Sequence, residues 1–160
     1  MKIILQILTF IVVTSNVCKA QTYVALSPNA SASSGGVRDV LGGSIELGQQ
    51  WGKWGLGFDI GKTSFSKIGT SDTTTYYEWR PFYTVYENNG LSHIVTLGYG
   101  KVLQAVKSNM FEVNYGIEMN LNSKIDFITF YVGSYFYWGK EVSSSSPFVG
   151  ITLTKTLKKK

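Results

Sequence analysis

The chain of 160 residues has one cysteine, one histidine and three prolines, and only 16% of its residues are charged. Cys18 falls within the first 20 residues, so the rest of the chain offers neither a disulfide nor a cysteine nucleophile. One histidine without further cysteines leaves little from which to build a zinc site. Disorder is also excluded, because disordered chains are poor in apolar residues and 44% of this chain is hydrophobic.

The sequence contains no apolar stretch long enough for a membrane-spanning helix. Its most apolar stretch, Ile3–Val13, follows Lys2 and precedes a more polar segment that ends at Ala20. This layout predicts a secretory signal peptide over residues 1–20, removed on export. The rest is predicted to be one domain, residues 21–157, with a basic tail at 158–160.

Excess charge gives no sign of a nucleic-acid or nucleotide partner. Without Lys2 and Lys19 the chain carries 13 basic and 10 acidic residues, and the last three lysines account for the whole difference. A nucleic-acid binder carries its basic face within the fold. The segment Gly57–Thr63 ends in Gly-Lys-Thr but has Leu56 where a phosphate-binding loop needs glycine, and no helix pattern follows. We predict no nucleotide, cofactor or metal.

Apolar and small or polar residues alternate repeatedly along the chain, which is the pattern of β-strands. Trp54–Lys62 and Phe111–Leu121 show it most clearly. Eight segments follow the pattern, at about 22–30, 42–50, 54–63, 74–86, 91–103, 110–120, 125–138 and 147–157.

Connections between these segments alternate in length, which predicts an up-and-down antiparallel meander. The short ones carry turn-forming Gly and Asn residues and lie at 51–53, 87–90 and 121–124. The longer ones are rich in Ser, Thr, Gly, Lys and Asp and lie at 31–41, 64–73, 104–109 and 139–146.

The composition of the two strand faces predicts which solvent the barrel meets. One face is long aliphatic and aromatic on nearly every segment, and the other is glycine or polar. A soluble barrel would turn the apolar face inward, but glycines suit a crowded interior, so we predict apolar-out and polar-in, as in transmembrane β-barrels. At about 9–11 residues per membrane strand, the length fits eight strands better than ten.

Residues 21–157 as a whole, with the alternating last strand Phe148–Leu153, resemble the small eight-stranded outer-membrane barrels of Gram-negative bacteria. The signal ending Lys19-Ala20-Gln21 is similar to exported proteins of the Bacteroidota. The resemblance implies an outer-membrane location, contact with outer-membrane lipid, and a role at the cell envelope. Family members often end on an aromatic residue, whereas this chain ends on Leu157 and three lysines.

Alternation turns a set of charged residues toward the lumen. These are Glu46, Asp59, Glu78, Arg80, Glu112 and Glu118. Arg80 is the only cation of the set, and its planar guanidinium can bind two carboxylates at once. We favour a structural polar cluster over a proton or cation path, because eight strands leave an interior that side chains just fill.

Aromatic residues are predicted to mark the two membrane interfaces: Trp51 and Trp54 at a tight turn, Tyr137 and Trp138 before a long connection. His93, with Val95 two residues on, lacks the Ser of outer-membrane deacylases and is interpreted as an interfacial residue. Pro81 cannot donate to a sheet ladder, so we expect a β-bulge there.

The function predicted from the sequence is therefore non-enzymatic: a structural or surface-interaction barrel that acts through its extracellular loops, with other envelope proteins as partners. Two alternatives stay open, a narrow small-solute channel or binding barrel, and a subunit of a larger envelope complex. A soluble lipocalin-like carrier, suggested by Gly52-Lys53-Trp54, ranks last because the alternation is inverted.

Overall fold

Eight β-strands make up most of the computed structural model, which describes residues 20–32, 37–67, 70–103, 107–121, 124–139 and 143–157. The strands are β1 (Gln21–Ser31), β2 (Val37–Trp51), β3 (Trp54–Lys67), β4 (Thr70–Asn88), β5 (Leu91–Val102), β6 (Ser108–Asn120), β7 (Phe127–Trp138) and β8 (Ser143–Leu157). The predicted signal peptide, except Ala20, and the basic tail lie outside the described residues. Among the described residues, no helix is long and apolar enough to cross a bilayer.

Every strand pairs antiparallel with its neighbour in the chain, and β8 pairs back onto β1, so the sheet closes into a barrel. This confirms the predicted eight-stranded up-and-down barrel. The alternating pattern explains the register, because a slip by one residue would move every apolar side chain to the other face. Between β2 and β3, for example, outward Ile45 lies opposite Ile60 and inward Glu46 lies opposite Asp59.

Tight turns close one end of the barrel, which we call the turn end. Gly52, between β2 and β3, has a φ of 59°. Asn89 and Gly90, between β4 and β5, have φ of 48° and 80°, as a type I′ hairpin turn requires. β1 begins and β8 ends at this same end of the barrel, at Gln21 and Leu157.

The opposite end, which we call the loop end, has longer strands and shorter connections than the sequence predicts. The predicted connections at 31–41 and 64–73 are wrong, because β2 begins at Val37, β3 ends at Lys67 and β4 begins at Thr70. A strand ladder is built from backbone N–H and C=O groups, which Ser, Thr and Lys supply as well as apolar residues do. The apolar alternation therefore marks only the inner part of each strand.

Large apolar side chains cover the outside of the barrel. Exposed examples, found on all eight strands, are Leu26, Ile45, Ile60, Trp79, Leu97, Val113, Phe130, Val132, Val149 and Ile151. Val132 and Ile45 are 55% and 59% exposed, although a barrel in water would keep such residues inside. A continuous apolar exterior around a polar interior is the arrangement of a barrel that faces lipid.

The sequence predicts a β-bulge at Pro81, but the strand has no register shift there. Pro81 stays in register with Leu56 on β3, and the register with β5 is the same at Trp79 and at Phe82. The irregularity in that ladder falls between Thr84 and Tyr86 instead. The pairing with β5 skips Pro81, so the proline interrupts one ladder locally without displacing the strand.

Glycines on the inner face lie where a neighbouring strand brings a large side chain or its backbone close. At Gly100 an added Cβ would meet the Glu78 Cβ at 2.6 Å and the Glu78 Cα at 2.7 Å. At Gly43, on the outward face of β2, the nearest atoms would be 3.9 Å away. The interior therefore alternates small and large residues between adjacent strands, as narrow barrels require.

Gly100→Ala is expected to lower the free energy of unfolding by about 1–3 kcal/mol, because the clash involves backbone atoms that cannot rotate away. Gly43→Ala is the matched control and should be neutral or slightly stabilising, since alanine restricts the unfolded chain. Urea titration of both variants folded into vesicles measures the difference. Equal stabilities would contradict the close β4–β5 approach.

Candidate functional site in the barrel interior

Five of the six charged residues predicted to face the lumen lie buried at mid-height in the barrel. Glu46, Asp59, Glu78, Arg80 and Glu112 are each at most 8% exposed. They come from β2, β3, β4 and β6, and each occupies an inward-facing position of its strand. The sixth residue, Glu118, is half-buried and lies closer to the turn end.

Arg80 joins three strands across the interior. Its Nη1 lies 2.5 Å from Glu46 Oε2 on β2, and its Nη2 lies 3.0 Å from Glu112 Oε1 on β6. Its Nε lies 3.8 Å from Glu78 Oε1, too far for a hydrogen bond. Because β2, β4 and β6 are not adjacent, the guanidinium is a cross-brace through the barrel.

Two neutral side chains complete the cross-brace, and the sequence analysis missed both. The Tyr23 hydroxyl donates a hydrogen bond to Glu46, and the Asn114 amide donates one to Glu112. The signal for Tyr23 was present in β1, because apolar Val24 and Leu26 face outward and so place Tyr23 inside. Asn114 lies two residues from Glu112 and has the same inward parity.

The carboxylates in this cluster outnumber its cation. Glu46, Glu78 and Glu112 lie within 4 Å of the one guanidinium, and Asp59 is a fourth carboxylate of the cluster. Glu78 and Glu112 both lie beside Gly98. In the described part of the chain, Asp59 Oδ1, both Glu78 oxygens and Glu112 Oε2 are buried without a hydrogen-bond partner. Ion pairing alone therefore does not neutralise the cluster. The excess of buried carboxylates makes an unfavourable electrostatic contribution to the stability of the barrel.

An apolar and aromatic cluster fills the interior on the loop-end side of the charges. It consists of Tyr76, Val102, Met110, Tyr131, Tyr135, Tyr137 and Phe148. The rings of Tyr135 and Phe148 stack with centroids 4.1 Å apart, and the Tyr131 ring meets Phe148 edge-on at 5.6 Å. We call this set the aromatic plug, because its packed side chains occupy the lumen on the loop-end side of the cross-brace.

The placement of Tyr137 corrects one sequence prediction. Predicted as an interface aromatic, Tyr137 is only 4% exposed and belongs to the aromatic plug. Its neighbours Phe136 and Trp138 face outward, at 43% and 41% exposure. Strand parity places alternate members of this aromatic run on opposite faces, so Tyr137 could not share the outer surface with Trp138.

The other three predicted interface aromatics lie on the outer surface or at its edge. Trp54 is 63% exposed beside the turn, with its ring 4.5 Å from that of Tyr83. Trp51 is half-buried and lies opposite Trp54 in the ladder. Trp138 lies near the loop end, with its ring 6.2 Å from that of Tyr99. Their membrane-interface role stays a prediction.

Between the cross-brace and the turn end, the interior widens into a cavity of about 80 Å³, which we call the vestibule. Thr96, Thr129, Thr152, Thr154 and Thr156 supply hydroxyls to its wall, and Tyr23, Phe82 and Phe127 supply aromatic rings. Glu46 and Arg80 form its floor, and Glu118 lies on its side. The sequence does not predict this cavity. Alternation along a strand indicates which residues face inward, but not which inward residues from different strands lie at the same height in the barrel.

At the turn end, outside the strands, Asp126 ties β7 to β8. Its carboxylate accepts hydrogen bonds from Lys155 Nζ at 2.9 Å and from the Thr156 backbone N–H at 2.7 Å. These contacts, the Lys155 bond first, hold the pKa of the Asp126 carboxyl below its usual range. Within the described residues, no group of three or more His, Cys, Asp or Glu side chains is placed to hold a metal ion.

Solved structures share this architecture at low sequence identity. Neisserial surface protein A is 13% identical, with a TM-score of 0.61 over 84% of this chain and 97% of that chain. The N-terminal β-barrel domain of Pseudomonas aeruginosa OprF is 10% identical, with a TM-score of 0.52 over 85% and 99%. No family model matches the chain, and no curated protein matches its sequence. The similarity establishes that the chain has the fold of these eight-stranded outer-membrane barrels.

Proposed function

We propose that this chain is a non-enzymatic barrel of the Gram-negative outer membrane, with a structural or surface-interaction role carried by its outer and loop-end surfaces. The observation that carries the proposal is the combination of an apolar exterior with a filled interior. The exterior suits lipid. Among the residues that the structure describes, the cross-brace and the aromatic plug occupy the lumen, which supports a role other than solute passage.

Strand extension at the loop end supplies the surface for such a role. On β3 the outward apolar series ends at Ile60, the next outward residue is the exposed Lys62, and the strand continues to Lys67. At 3.3 Å per residue, β3 therefore continues for roughly 16 Å along its own axis beyond Lys62. The contact surface would be the projecting ends of β2, β3 and β4, rather than the long loops expected from the sequence.

The names of the structural neighbours support the same class. One of them is called a surface protein. The export signal at residues 1–20, its Bacteroidota-like ending and the partnership with lipid and other envelope proteins rest on the sequence and belong to this proposal.

Conductance measurements separate this function from the channel alternative. The folded barrel in a planar lipid bilayer is expected to give no single-channel openings above the bare-bilayer background, because the aromatic plug occupies the lumen. Regular openings of the wild-type barrel would contradict the proposal and support a solute channel. A partner that co-purifies in fixed ratio from native membranes would instead indicate a subunit of a larger complex.

A further inference from the structure

The vestibule carries a second, independent inference, because its lining combines groups that neither the cross-brace nor the aromatic plug uses. We propose that the vestibule is a binding site for a small organic ammonium ion that enters from the turn end. The cavity volume of about 80 Å³ corresponds to roughly five to eight water positions, the scale of a molecule with few heavy atoms.

Charge favours a cation at this site. Arg80 on the floor is already bound to Glu46 and Glu112, so it offers little attraction to an anion. Glu118 has no cationic partner among the described residues, and its contact is the Thr129 hydroxyl at 3.3 Å. Glu118 is therefore an acidic group on the vestibule wall that no cationic side chain of the described residues pairs with.

A second carboxylate extends the negative field to the vestibule mouth. Ser92 on β5 lies opposite Glu87 on β4 and opposite Glu118 on β6. The bulge between Thr84 and Tyr86 shifts the parity of β4, which places Glu87 on the lumen side of the strand. The bulge thus brings this exposed acid to the entrance, where it attracts cations toward Glu118.

Aromatic rings supply the second recognition element. Phe127 lies two residues from Thr129, the partner of Glu118, and has the same inward parity. Phe82 faces the vestibule from β4, with Tyr23 edge-on to its ring at 6.1 Å. A carboxylate beside aromatic faces is the combination that binds ammonium groups, through charge attraction and cation–π contacts. The threonine hydroxyls can accept hydrogen bonds from a hydroxyl on the same ligand.

The test compares choline with its neutral isostere 3,3-dimethyl-1-butanol on the folded full-length barrel in an uncharged detergent. Threonine methyl NMR signals report binding at Thr129 and Thr154, and sodium chloride at equal ionic strength is the salt control. Choline is expected to shift these signals saturably, and the neutral isostere to bind at least about tenfold more weakly. Equal binding of the two molecules, or no shift with choline, would overturn the proposal.

Glu118→Gln should weaken choline binding about tenfold or more, because it removes the charge and keeps the shape. Glu87→Gln removes the exposed charge at the mouth and should weaken choline binding by about twofold, less than Glu118→Gln does, since exposed charges are screened. Asp72→Asn on β4, which lies opposite Phe65 near the loop end, is the matched control and should leave the affinity unchanged. Heat-dependent gel migration verifies that each variant is folded. Thr129→Val, which removes only the hydroxyl beside Glu118, gives a second reading if Glu118→Gln does not fold. Unchanged choline affinity in folded Glu118→Gln, or in folded Thr129→Val where Glu118→Gln does not fold, would contradict the site.

Discussion

Replacing Arg80 by alanine is expected to lower the free energy of unfolding by about 3–5 kcal/mol, the usual cost of deleting one partner of a buried ion pair. Arg80 is 8% exposed and binds Glu46 and Glu112 at 2.5 and 3.0 Å. Without it, the carboxylates of the cluster repel one another with no cation between them. Urea-induced unfolding of the barrel in lipid vesicles measures the loss.

The pH dependence of the Arg80→Ala defect follows from the same charges. As the pH falls, the stranded carboxylates take up protons and their repulsion disappears, so the defect should shrink from neutral to acidic pH. This recovery should be smaller in the wild-type barrel, because Arg80 already compensates Glu46 and Glu112 there. An alanine variant as stable as wild type across this pH range would show that Arg80 does not brace the interior.

Glu78→Gln is the matched control for the charge count. The Glu78 carboxylate is fully buried, and neither of its oxygens has a hydrogen-bond partner in the described part of the chain. Removing its charge reduces the excess of acids, so this variant should lie within about 1 kcal/mol of wild type or above it. Combining Glu78→Gln with Arg80→Ala should cost less than the sum of the two single changes, because the two sites are coupled.

Phe148→Ala is the second change with a large expected effect, about 3–5 kcal/mol of unfolding free energy. The side chain is 2% exposed and contacts the rings of Tyr131 and Tyr135, so truncation leaves a cavity inside the aromatic plug. The same variant should admit ions intermittently, which bilayer recordings would detect as openings absent from the wild-type barrel.

Phe130→Ala is the control on the outer surface, where the side chain is 47% exposed. Lipid fills the space that this truncation leaves, so only the transfer free energy of about 1.5–3 kcal/mol is lost. No openings are expected from it. If Phe148→Ala and Phe130→Ala behave alike, the plug does not close the lumen.

The alternation of apolar and polar residues predicts side-chain orientation well in the apolar part of each strand. Parity in the apolar part of β3 correctly placed Asp59 inside and Ile60 outside, because a closed barrel ties each strand register to its neighbours. Parity also placed Arg80 inside, although Pro81 follows it. Tyr137 was misassigned because a run of aromatic residues contains no polar partner from which to read the parity.

The alternation does not predict the ends of the strands, the aromatic plug or the vestibule, and the reasons are physical. The strands continue to Lys67 and from Thr70 because backbone hydrogen bonds extend a hairpin without apolar side chains. The aromatic plug and the vestibule depend on which inward residues from distant strands meet at one height. That height is set by the stagger of the closed barrel, which no single strand encodes.

The most direct test of the outer-membrane barrel uses single cysteines on intact Gram-negative cells, probed with a maleimide too large to cross the outer membrane. Lys107→Cys lies at the loop end and Lys53→Cys at the turn end, and both native side chains are exposed. We expect Lys107→Cys to be labelled on intact cells and Lys53→Cys only after the outer membrane is permeabilised. Labelling of Lys53→Cys alone, or recovery of both variants unlabelled in the soluble fraction, would contradict it.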